Sequence, residues 1–406
     1  MCHRSNVKWA SAISENPALE DAAAEASNAV RRELGQSPAN LVLAFVSPHH
    51  ANGYQQLPKL VSAQFPDSLL VGCSANGVIG AGHEVEQRPA FSLTAASLPG
   101  VDLLAFHVSS KQLPAQTADR EAWKALVGAA PTKNPHFLLL ADPFTFDASA
   151  LISGLDATYP DSRKIGGLAS GGEAPGSSSL FLNSRIWQDG VVGIAMSGNI
   201  SIDTIVAQGC RPIGTPMMIT ASEGNVLLEL DGRPPLLVVR QLFESLPAKD
   251  RALLQTSLFV GLEMKSEEVE FHPGDFLVRN IIGMDPDSGA IAIGATPKQW
   301  QVMQFLLRDS QTATEDLTRL LSQYRDSAKP DGALLFSCLG RGIHLFGCAD
   351  HDTGLFREKL GPIPLGGFFC NGEIGPVGAS TFLHGYTSAF ALFREADGAS
   401  ARKARS

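Results

Sequence analysis

Apolar residues recur along this chain in two rhythms. In residues 17–34 (PALEDAAAEASNAVRREL), Leu19, Ala22, Ala23, Ala26, Val30 and Leu34 fall three and four apart, one face of a helix. Asn16 stands where a cap belongs, and Gly35 follows the end. The runs LVLAFVSP (41–48), LLVGCSA (69–75), HFLLLADP (136–143), GALLFSC (332–338), PLGGFF (364–369) and TSAFALF (387–393) are continuously apolar, the pattern of strands buried on both faces. RKIGGLAS, SSSLFLN, GVVGIAMSG, ISIDTIVAQG and QWQVMQFLL add further strands. FSLTAASL (91–98) and VDLLAFHV (101–108) predict a hairpin over Pro99-Gly100. Two more hairpins are expected, at 216–230 over Glu-Gly-Asn and within 276–295 over Asp-Pro-Asp-Ser-Gly. Other helices are expected near 53–64, 119–127, 148–159, 234–246 with Pro at its start, and 311–325.

The pattern also repeats. FPDSLLVGCSANGVIGAG (65–82) aligns without gaps on YPDSRKIGGLASGGEAPG (159–176), so that Pro66, Asp67, Ser68, Gly72, Ala75, Gly77 and Gly82 recur 94 positions later. A third copy pairs GCSANGVIG (72–80) with GFFCNGEIG (367–375). Each copy follows a strand and a helix, which predicts strand–helix–strand–glycine-loop units used repeatedly. Glycine lets backbone approach another backbone or a ligand, so such loops serve equally as pocket floors or as tight turns closing a sheet. They match neither the phosphate loop nor the dinucleotide fingerprint. The fold class is therefore α/β, or mixed α+β: two tandem lobes of related units, with mixed sheets covered by helices. The expected divisions are an N-terminal helix (1–37), lobes at 38–232 and 233–393, and a disordered tail (394–406).

Composition narrows the function classes. With 32 basic and 41 acidic residues the net charge is −9, a poor start for nucleic-acid binding. No run approaches the ~20 apolar residues of a membrane span, and the N-terminus lacks a signal-peptide core. Six cysteines without a Cys-x-x-Cys pair suit free thiols in a reducing compartment, so a cytoplasmic protein without a membrane or nucleic-acid partner is expected.

LGGFFCNGEIGPVGASTFLHGYTSAFALF (365–393) closely resembles the signature that closes the C-terminal FIST domain, of the F-box and intracellular signal transduction proteins. LVGCSANGVIGAG and KIGGLASGG resemble parts of the N-terminal FIST domain, and the likeness covers about 38–393. The resemblance implies a sensory module that binds small ligands, amino acids among them. The first 35 residues are too short for an F-box, so a stand-alone form is expected, with its output passing through a separate signalling protein.

Candidate chemistry gathers at the third copy. Cys370-Asn371-Gly372-Glu373 lies at a strand end, and His384 and Tyr386 just precede the final strand. Glu373 can accept from an ammonium group, Asn371 can bridge amino and carboxylate groups, and His384 can donate to a carboxylate, a set suited to a zwitterion such as an amino acid. The same side chains can instead bond to each other or to turn backbone and hold the loop. Cys73, Ser74, Asn76 and Gly77 occupy the equivalent first loop, where Val78 replaces the acid. Two alternatives are a protein-interaction scaffold with a vestigial pocket and a Cys hydrolase using Cys370, His384 and Glu373. His344, Cys348 and His351 have the spacing of zinc ligands on a helix, but Gly347 interrupts them; no metal or cofactor is expected. His49 and His50 are adjacent and in a strand would face opposite sides. Asp142, Pro143, Phe144, Phe146 and Asp147 read as a strand-to-helix loop with Asp147 as cap.

Overall fold

The computed structural model describes residues 7–115, 119–264, 271, 274–325 and 329–396. The chain is mixed α+β and forms two compact units. One takes residues up to 206, 318–383 and 387 onward; the other takes 207–317 with 384–386. The boundary expected at 232/233 thus falls inside the second unit in space. Of the expected tail, Arg394 closes the last strand, and 397–406 lie outside the described residues.

The first unit is one plan used three times. Each repeat opens with a strand at a sheet edge: Lys8–Ser14, Val101–Val108, then Ser201–Ala207. A helix leads to an inner strand, which is Leu41–Val46, His136–Ala141 or Gly332–Cys338. A second helix leads to a parallel neighbour, which is Leu69–Ser74, Lys164–Leu168 or Leu365–Cys370. A closing strand, Phe91–Ser97, Val191–Gly198 or Ser388–Arg394, returns antiparallel to the inner strand.

Between the parallel neighbour and the closing strand, each repeat sends a hairpin to another repeat's sheet. Gly77–Gly80 of the first pairs with Leu365–Cys370 of the third. Leu180–Leu182 of the second pairs with Leu69–Ser74 of the first. Glu373–Val377 of the third pairs with Lys164–Leu168 of the second. The exchange closes a ring, and the three six-stranded sheets share one strand order.

The repeat seen in sequence has a backbone cause. Gly72, Gly166 and Gly367 sit at one place in the three sheets, opposite Ala44, Leu139 and Leu335. A Cβ on any of them would lie 1.9 Å from the carbonyl oxygen of that partner. Strand alternation then sorts the side chains. Phe45, Leu138, Leu140, Phe336 and Phe368 enter one core shared by the three repeats, whereas Phe137, Leu139 and Ala141 face the second repeat's helices. Helix Leu19–Leu34 buries all six residues of its expected face.

The predicted hairpin over Pro99-Gly100 is corrected. Both strands exist, but Phe91–Ser97 pairs with Lys8–Ser14 and Leu41–Val46, and Val101–Val108 pairs with Val191–Gly198. The turn carries the chain from one sheet to the next, since Phe91–Ser97 closes the first repeat's sheet and Val101–Val108 opens the second's. Strand Lys8–Ser14 carries no sequence flag: KWASAIS is short and rich in small residues, and it lies within the segment expected to be only a helix.

The second unit enters the chain between the third repeat's opening strand and its first helix, Ser310–Arg325, which straddles the division. Six antiparallel strands close a barrel: Cys210–Glu223, Val226–Leu230, Ile291–Ile293, Phe276–Met284, Leu258–Glu263 and Val302–Arg308. Both hairpins expected here are present. Ile213, Ile219, Leu227, Ile291 and Phe305 fill its core, and helices Pro235–Ser245 and Ala248–Ser257 accompany it.

Candidate ligand site where the three repeats meet

The glycine segments begin where the parallel strands end, and in this unit those ends come together. Ser170 accepts a hydrogen bond from the Asn76 backbone N–H at 2.9 Å and donates to the Phe369 carbonyl. The Asn371 side-chain amide donates to the Ala169 carbonyl at 3.1 Å, and its backbone N–H donates to the Leu168 carbonyl at 3.1 Å. Ser74 receives the N–H groups of Ser170 and Gly171 on its carbonyl, and Leu168 donates to the Gly372 carbonyl. Asn76, Ser170 and Asn371 occupy the same position of the three copies. Asn76 and Asn371 are exposed, while Ser170 is buried, so the junction has a polar rim over a packed floor.

Of the ten candidates, seven gather here: Cys73, Ser74, Asn76, Gly77, Cys370, Asn371 and Gly372. Several are packing positions. A Cβ on Gly77 would lie 2.7 Å from Phe369, and one on Gly167 would lie 2.4 Å from the Cys370 sulfur. The Ser74 hydroxyl accepts from the Ser179 N–H at 2.9 Å. Cys73 and Cys370 are fully buried, and burial pushes both thiols up; beside Cys370 the Glu373 carboxylate adds to this. Glu373 is also fully buried, and its Oε2 accepts from the Thr387 N–H at 3.1 Å and hydroxyl at 2.8 Å.

His384 and Tyr386 belong to the other unit. There Tyr386, at φ +67°, donates to Asn280, packs on Phe259 with ring centres 4.5 Å apart, and lies under the Arg308 guanidinium at 4.7 Å. Two clefts, of about 970 Å³ beside Arg31 and Asp67 and about 650 Å³ beside His107 and Trp187, are lined by none of the ten. The zinc spacing does not become a site. Gly347, at φ +72°, ends helix Gly342–Phe346 before Cys348, and His351 bonds Asp352 instead. Among the described residues no group of three or more His, Cys, Asp or Glu side chains is placed to hold a metal ion.

Sequence reasoning passed over two features. Ser170 was available from the repeat itself, since it aligns with Asn76 at the 94-residue offset. A buried ion cluster was also missed: Arg341, His351 and Asp352 lie in one stretch, but Glu84 and Ser388 reach them from distant segments. Arg341, fully buried, grips Asp352 through Nε at 2.8 Å and Nη2 at 2.9 Å. Burial opposes ionisation of Asp352, yet Arg341, His351 and Ser388 hold its carboxyl below the ordinary range. Glu84, on the first repeat's hairpin, caps the third repeat's helix by accepting from the Thr353 N–H at 2.8 Å. Burial, then the nearby Asp352 charge, push Glu84 up to about 8. This cluster fastens one repeat's hairpin to another repeat's helix.

The FIST N domain model matches residues 40–233 and the FIST C domain model matches 235–376. The chain belongs to the FIST family. FIST domains are associated with sensing in signal transduction. An uncharacterized protein of Mycobacterium tuberculosis is 36% identical over 392 residues, covering 94% of this chain and 98% of the relative. One from Mycobacterium bovis is 35% identical over 389 residues, covering 94% and 97%. An F-box/LRR-repeat protein of Arabidopsis thaliana is 29% identical over 151 residues, 33% of this chain and 28% of that protein. Among solved structures, a cyanuric acid hydrolase from A. caulinodans matches with TM-score 0.35 and 9% identity, covering 96% of this chain and 99% of its own. Those values are too low to carry a functional argument. No described helix is long and apolar enough to cross a membrane.

Proposed function

We propose that this FIST protein is a small-ligand sensor whose ligand, an amino acid or similar zwitterion, is received at the junction of the three repeats. The observation that carries this is the meeting of Asn76, Ser170 and Asn371 at the carboxyl ends of the parallel strands. Ligands of parallel α/β sheets lie in that position, because loops diverge there while the strands hold them rigidly. Glu373 is committed to Thr387, and the buried Ser170 hydroxyl to Asn76 and Phe369, so the exposed side chains of Asn76 and Asn371 are the part left to meet a ligand. Cys370 has the surroundings of a packing thiol, since desolvation disfavours the thiolate a hydrolase needs. Binding to the native state raises stability. The test is thermal unfolding of wild type and of an Asn76→Ala/Asn371→Ala double variant with each of the twenty amino acids. A response in wild type that the double variant loses supports the junction; a response kept in full by the double variant moves the site elsewhere.

A second reading, a surface that recruits the signalling protein, draws on one observation. Nine described large hydrophobic residues are exposed, and Met218, Leu228, Leu237, Ile282, Met284 and Trp300 among them belong to the barrel unit. Exposed apolar groups gathered on one unit suit a partner. Ile282→Asp with Trp300→Ala leaves thermal responses to amino acids unchanged under this reading and abolishes pairing with a signalling partner.

A further inference from the structure

Beside the junction, at the end of the second repeat's inner strand, lies a buried carboxylate with one oxygen left unpaired. Asp142 follows strand His136–Ala141 directly and is 0% exposed. Its Oδ2 accepts three hydrogen bonds, from the Phe144 N–H at 3.2 Å, the Thr145 N–H at 2.9 Å and the Thr145 hydroxyl at 2.7 Å. Its Oδ1 is buried with no hydrogen-bond partner. Two other carboxylates of this unit have a basic partner, and a third has two hydrogen-bond donors. Arg341 faces Asp352, Lys164 lies 2.9 Å from Asp156, and Thr387 donates twice to Glu373. Among the described residues no basic side chain pairs with Asp142.

Its place in the ring is equally specific. The Asp142 N–H donates to the Gly190 carbonyl at 2.8 Å, as Ser47 does to Ala90 and Cys338 to Thr387, so these three residues are counterparts. Only the second repeat puts an acid there. Alternation carries Asp142 to the face of Leu138 and Leu140, which is the face of the shared core. Its neighbour across the sheet is Ala169, whose N–H donates to the Ala141 carbonyl and whose own carbonyl receives the Asn371 amide. A buried acceptor without a donor is costly, and a buried charge without a counter-charge more so.

We propose that Asp142 receives the positively charged nitrogen of the ligand, an organic ammonium group. The ammonium supplies both the missing donor to Oδ1 and the missing counter-charge. The assignment rests on the sensor function above and supplies the ammonium acceptor that the committed Glu373 does not.

The experiment is thermal unfolding and calorimetric titration of the full chain with glycine, methylammonium chloride and sodium acetate at matched ionic strength, in wild type, Asp142→Asn and Asp142→Ser. Asn keeps an acceptor for the Thr145 turn and removes the charge; Ser is the residue the first repeat carries at this place. Wild type is expected to respond to glycine and, more weakly, to methylammonium, but not to acetate. Asp142→Asn is expected to unfold no earlier than wild type without ligand, since it loses an uncompensated charge, and to bind glycine at least 10-fold more weakly. If Asp142→Asn fails to fold, Asp142→Ser serves the same comparison; if both fail to fold, the acid is needed by the fold itself and the assignment is overturned. Glycine binding retained by either variant overturns the role of Asp142 while the sensor function stands, as does a response to acetate alone. No response of wild type to any amino acid or to methylammonium overturns both.

Discussion

Three glycines decide how closely the parallel strands approach. At Gly72, Gly166 and Gly367 an added methyl would meet a carbonyl oxygen at 1.9 Å, and backbone cannot swing aside as a side chain can. Alanine at any of them is expected to cost about 3 kcal/mol or more by chemical denaturation. Gly82, at φ +82° with nothing near its Cβ direction, is the control, and alanine there should cost only about 1–2 kcal/mol, from its dihedral angle. Glu84 gives a pH signature. Its folded pKa is raised to about 8, chiefly by burial, against 4.5 in the unfolded chain. The unfolded chain releases this proton near pH 4.5 while the folded chain keeps it, so stability falls as pH rises from about 4.5 to 8. Glu84→Gln should remove that slope, and urea unfolding across the window reads it; an unchanged slope would contradict the assignment to Glu84.

Elements are tied across repeats by carboxylates. The third repeat's hairpin is held by Asp156, on the second repeat's helix Ala148–Thr158, which accepts from the Thr381 N–H at 2.6 Å and hydroxyl at 2.9 Å. The same carboxylate lies 2.9 Å from Lys164, whose side chain is 1% exposed. Burial lowers the Lys164 pKa, and Asp156 works against that. Removing one partner of a buried pair leaves the other uncompensated, so Asp156→Ala should cost about 3–5 kcal/mol. Lys164→Met, which keeps length and removes the charge, should cost clearly less. Equal losses in equilibrium unfolding would mean that the pair does not act as a unit.

The whole first unit is interlocked, and this sets where the chain can be cut. The family boundary near 233 looks like a domain boundary, but the first repeat's hairpin pairs in the third sheet and the second sheet takes a strand from the third repeat. A fragment 1–232 therefore lacks partners for strands on either side of its core. Expressed alone it should show no cooperative thermal transition by circular dichroism, whereas co-expression with 233–406 should restore one. An independently stable 1–232 fragment would contradict the interlocked arrangement.

Much of this was legible in the amino-acid sequence, because it depends on local periodicity and on backbone contact. The buried strands, the helix 17–34, both barrel hairpins and the glycine register all follow from spacing and from where only glycine fits. The register even held the equivalence of Asn76, Ser170 and Asn371, and the third copy carried the resemblance to FIST. What only the tertiary structure decided is partnership. Whether 91–98 and 101–108 pair with each other, where each hairpin is sent, and which carboxylates find a cation depend on contacts between segments tens to hundreds of residues apart. Strand edges are chemically alike, so sequence specifies which segments are strands more strongly than which strands meet. The same holds for Glu373 and Asp142: as letters they are two acids beside strands, and only the packing gives each its donors, Thr387 for one and the Thr145 turn for the other.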